Sequence, residues 1–81
     1  MPKMKKEKIG GKVLAGLTES DHDKLKKLAV SCDMSKTRLS EEIISMALNS
    51  ANQVMWFQDK YNKDPQYRVA FRQTSKGLEF L

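Results

Sequence analysis

"VLAGLTESDHDKLKKLAVSCDMSKTRLSEEIISMALNS", Val13 to Ser50, is the stretch that decides the fold. Val13 to Leu17 reads as one short strand, too short and too isolated to form a sheet within its own chain. Thr18 ends it. With Asp21 three residues later, Thr18 resembles a capping box in which Asp replaces the usual Glu, and Glu19, Asp21 and Asp23 put negative charge at the positive end of a helix dipole. A helix is therefore expected from about Glu19. Leu25, Leu28, Ala29 and Cys32 recur at helical steps, with Lys24, Lys26 and Lys27 mostly outside. Asp33, tolerant of the left-handed conformation, ends it with Met34, and Ser35 is a good cap for a second helix.

That second helix is expected to be long. From Lys36 no proline occurs before Pro65 and no glycine before Gly77, so the helix is expected to run to about Asn62, where Pro65 pushes Asp64 out of helical geometry. Leu39, Ile43, Ala47, Val54, Phe57 and Tyr61 then form one apolar stripe, and Ile44, Leu48, Ala51 and Met55 a second. A helix apolar on two sides must be covered on two sides. The first helix is too short to do both, which implies another subunit.

Length and charge agree with this. A chain of 81 residues is one domain at most, and so small a monomer is hard to stabilise without a metal, disulfides or oligomerisation. Cys32 is the only cysteine, so no disulfide forms within the chain. The lone thiol, the absence of a membrane-length apolar run and a start without a signal-peptide core read as a soluble, cytoplasmic protein. The net charge of +5 is uneven. Lys3, Lys5, Lys6, Lys8 and Lys12 face only Glu7 near the start, residues 18–64 are about neutral, and Arg68, Arg72 and Lys76 face Glu79 near the end. A basic arm at residues 1–11 suits either a solubilising tail or a segment lying along phosphates.

A strand, a short helix, a tight turn and a longer helix apolar on two faces make sense together if the strand pairs with its own copy. In order and spacing, the alternating strand, "LTESDHDKLKKLA" and "DMSKTRLSEEII" resemble the ribbon-helix-helix DNA-binding family over about half of the chain. The resemblance implies a mainly α, twofold dimer whose two strands form an antiparallel ribbon in the DNA major groove. Leu17, beside the Thr18 cap, is placed to point into the helices with Val13 and Ala15, leaving Lys12, Leu14 and Gly16 toward the groove. Here the chain departs from the family, whose outward positions are usually polar or basic. Direct base readout is expected to be thin, with Lys12, the arm and DNA shape carrying more. The opposite register buries one apolar residue and exposes three, at a cost on the order of a few kcal/mol per strand. The resemblance further implies that the backbone at Ser35, Lys36 and Thr37 holds a DNA phosphate, with the charges of Lys36 and Arg38 beside it. Taken alone, the same tripeptide reads as a capped helix with solvated lysines.

Catalysis finds no constellation. His22 and Cys32 lack the further Cys or His partners of a zinc site and read as partly buried helix residues. Glu41 and Glu42 are adjacent and diverge around a helix, and neither a Ser/His/Asp pattern nor a glycine-rich phosphate loop is present. A non-enzyme without cofactors is expected. In the last third, "QYRVAFRQT" alternates, "SKG" reads as a turn and "LEFL" as a returning strand, giving a β-hairpin within a C-terminal extension, residues 63–81. Trp56, Phe57, Tyr67, Val69 and Phe71 need cover. They are expected to fold on the long helix, to join dimers into a tetramer or cooperative array, or to meet a partner protein, the alternative being that the segment is a flexible tail. Residues 12–62 are the expected DNA-binding domain. The simplest function is a transcriptional regulator such as a plasmid or phage repressor. The alternatives are a relaxosome accessory protein at a conjugative plasmid transfer origin, or an antitoxin whose C-terminal segment binds a partner.

Overall fold

The computed structural model describes residues 10–81. The chain is mainly helical, with a small antiparallel sheet at its C-terminal end. In order, α1 spans Glu19–Ser31, α2 Lys36–Leu48 and α3 Ala51–Tyr61. A 3₁₀ turn, Pro65–Tyr67, then leads to a hairpin of β1 (Phe71–Thr74) and β2 (Gly77–Phe80). Residues 11–18 carry no regular secondary structure.

Local chemistry sets each boundary of the first two helices. Thr18 Oγ1 accepts from the Asp21 N–H at 3.1 Å, and the Ser35 Oγ accepts from the Arg38 N–H at 3.0 Å. Each cap satisfies a donor that the helix geometry leaves free, worth about 1 kcal/mol. Between them the chain makes a complete Schellman turn. Asp33 sits at φ 56°, its N–H donates to the Val30 carbonyl, and the Met34 N–H donates to the Ala29 carbonyl at 2.9 Å. This turn brings α2 back against α1.

The expected long helix from Lys36 to Asn62 is corrected by the structure, which breaks it at Asn49 and Ser50. No proline or glycine is needed for the break. Asn49 caps α2, its Nδ2 donating to the Ser45 carbonyl at 2.8 Å, and Ser50 turns extended and accepts from the Gln53 N–H at 3.3 Å to cap α3. Short polar side chains that bond their own backbone compete with helix continuation. The stripes expected along one rod are thereby divided between two helices.

The hairpin docks on this break. Leu78 N–H donates to Asn49 Oδ1 at 3.1 Å, and Gly77, at φ 122°, packs against the Asn49 side chain. Further along, the Gln58 amide behaves as a strand neighbour to Val69, accepting from its N–H at 2.6 Å and donating to its carbonyl at 3.2 Å. Phe71 pairs with Phe80, and Thr74 with Gly77, in the antiparallel register. The first strand is shorter than its alternation suggested, because Asp64 caps the Pro65 turn through its Oδ1 on the Gln66 N–H at 3.0 Å. The core within the chain is thin: Ala29 of α1, Leu39 of α2 and Val54 of α3 are buried among the described residues. No helix among these residues is long and apolar enough to cross a membrane.

Candidate nucleic-acid interface

Lys12, Leu14 and Gly16 lie on the segment that enters α1. Val13 is 82% exposed and Leu14 100%, whereas Leu17, next to the Thr18 cap, is half-exposed. A Cβ at Gly16 would meet nothing within 4 Å. Apolar side chains are thus held out beside a well-capped helix start. The arm lysines Lys3, Lys5, Lys6 and Lys8 lie outside the described residues.

At the α2 start, Ser35 takes the N–H of Arg38, while helix geometry leaves the N–H groups of Lys36 and Thr37 without an intrahelical partner. Those donors and the helix dipole face outward together. Arg38 Nε lies 3.7 Å from Glu42 Oε2, one turn on, with both side chains well exposed, so water screens this pair. Lys36 Nζ lies 3.1 Å from His22 Nε2, and donates to that ring nitrogen in the tautomer whose proton is on Nδ1. His22 on α1 therefore braces the lysine at the α2 cap. Sequence spacing gave no sign of this contact, since the two residues are on different helices. His22 and Cys32, expected to be partly buried, are both exposed in the chain. Cys32 is the C-cap of α1, at the exposed end of the helix, and His22 meets Lys36.

The C-terminal residues divide into two sets. Trp56 and Phe57 come together with Tyr61, the first pair edge to face at 4.9 Å and Phe57 stacked on Tyr61 at 6.2 Å. Lys60 Nζ lies over the Trp56 ring at 4.8 Å. Val69 instead faces α2 and α3, Phe71 lies 6.5 Å from Phe80 across the hairpin, both are half-covered, and Tyr67 is exposed on the 3₁₀ turn. An apolar groove of about 220 Å³ runs between Ala47 and Leu48 of α2, Val54 and Phe57 of α3, Val69 just before the hairpin and Phe80 within it. Arg68 pairs with Asp59 at 2.6 Å and Arg72 with Glu79 at 2.7 Å, so the positive charge near the C-terminal end is largely matched within the unit. The residues that sequence reasoning missed here are Asn49, Gln58 and Phe80. Tyr61 stands one turn after Phe57 on α3, as the expected stripe has it, whereas the neighbours of Phe80 are set by the hairpin.

No protein-family model, no curated protein and no solved structure matches this chain.

Proposed function

We propose that the chain is a DNA-binding homodimer in which residues 12–17 of two copies pair as a ribbon in the major groove, most simply as a transcriptional regulator. The observation that carries this reading is the order of parts. An apolar, outward-held segment leads directly into a Thr18-capped helix, a tight left-handed turn and a Ser35-capped helix whose free N–H groups stand beside Lys36. Val13 and Met46 remain well exposed in the single chain, and Leu17, Ile43 and Ile44 about half-exposed. Pairing two copies through the segment and α2 covers such residues, and hydrophobic burial supplies the driving force.

In this reading Lys12, Leu14 and Gly16 face base edges, and Lys36 with the N–H groups at the α2 start holds a phosphate on each flank. The reading includes no catalytic step and no cofactor. Selection from a pool of random duplexes, followed by binding titrations against salt, tests it. A preferred duplex should emerge, affinity should fall steeply with salt, and Lys12→Ala should weaken binding by about 1–3 kcal/mol if the lysine meets a base. Affinity indifferent to salt, or a stably folded monomer in sedimentation, refutes it.

A further inference from the structure

We propose that the face formed by the Trp56–Phe57–Tyr61 cluster and the adjoining groove is a second self-association surface, and that it takes the same face of another copy. Phe57 belongs to both parts, lining the groove while packing against Trp56 and Tyr61. Leu48, Trp56, Phe57, Tyr61 and Phe80 are each between 47% and 59% exposed. With roughly 150–250 Å² of surface for each of the four aromatic side chains and about the lower of these for Leu48, these five leave on the order of 400–500 Å² of apolar area uncovered. A standard interface hides about 800 Å² per partner, somewhat over half of it apolar, so the face has the apolar content that one side of a stable contact needs.

The charges around it favour a copy over a strongly charged partner. Asp59 with Arg68 and Arg72 with Glu79 are matched within the chain, and Lys60 rests over its own Trp56 and Tyr61 rings at 4.8 and 5.5 Å. Gln58, the polar residue of the groove lining, has its amide turned to Val69. A twofold contact lays the aromatic ridge of each copy in the other's groove, as self-complementary surfaces do.

This contact uses α3, the last turn of α2 and the hairpin rather than the 12–17 segment, but the tetrameric stoichiometry expected of the full chain rests on the ribbon reading. Light scattering across the micromolar range, on the wild type and Trp56→Glu, separates the two. Trp56 is the only tryptophan, so its emission and acrylamide quenching report this face directly. The expected result is a tetramer with shielded, blue-shifted emission that moves to the red on dilution, and a twofold lower mass for Trp56→Glu with unchanged circular dichroism. A wild-type dimer that Trp56→Glu reduces to monomer supports this contact and refutes the ribbon dimer. A dimer in both, with Trp56 freely quenched at every concentration, overturns this contact, keeps the ribbon and leaves the face to a different protein. A wild-type monomer overturns both. Should Trp56→Glu fail to fold, Tyr61→Glu and the dilution series on the wild type decide the matter.

Discussion

Gly77→Ala probes how the hairpin is fastened to the break between α2 and α3. Gly77 has φ 122°, a conformation that L residues rarely adopt. A Cβ there would fall on Asn49 Oδ1 and lie 2.9 Å from its Cγ and 3.3 Å from its Cβ. Two effects add. The backbone conformation costs a non-glycine residue about 1–3 kcal/mol. Moving Asn49 aside also breaks the 3.1 Å bond from the Leu78 N–H and loosens the 2.8 Å bond to the Ser45 carbonyl. Each such bond is worth about 1 kcal/mol net. The expected destabilisation is therefore roughly 2–4 kcal/mol, a large share of the 5–15 kcal/mol typical of a small protein. Urea unfolding followed by circular dichroism, at fixed protomer concentration, measures it. In an Asn49→Ala background the clash is gone, so Gly77→Ala should cost about 1 kcal/mol less than in the wild type. Strict additivity, or a wild-type effect below about 0.5 kcal/mol, would refute the contact.

Gln58→Ala should destabilise by about 1–3 kcal/mol, because it leaves the half-covered N–H and carbonyl of Val69 without their partner; thermal melts read this, and no change would mean that water replaces the amide. Ser50→Ala removes the α3 cap and should cost about 1 kcal/mol, with faster hydrogen exchange at the Gln53 amide as its local signature. Leu14→Ala should lower DNA affinity while leaving stability within about 0.5 kcal/mol, since the side chain is fully exposed in the chain. Leu17→Asp should weaken the dimer. A strongly destabilised Leu14→Ala would instead favour the opposite strand register, in which Leu14 is the buried residue.

The parts of the fold legible in the sequence are those that a few neighbouring residues decide. Thr18 and Ser35 cap because their hydroxyls reach N–H groups three residues on, Asp33 takes the left-handed turn, and Pro65 forces Asp64 extended. The "SKG" turn likewise closes its hairpin from within. The Asn49–Ser50 break is as local as these, yet without proline or glycine the sequence there carries a continuous helical pattern. Only the tertiary structure decided what the break is for. Asn49 meets Leu78 and Gly77, Gln58 meets Val69, His22 meets Lys36, and Asp59 takes Arg68. Each of these pairs joins separate elements, so no periodicity or cap signal carries it. The same separation governs the candidate sites. The α2 cap at Ser35 to Arg38 and the spacing of Trp56, Phe57 and Tyr61 on one helix can be named from the sequence, while the groove beside them depends on where the hairpin comes to rest, because a side chain's neighbours across elements exist only once the chain has folded back on itself.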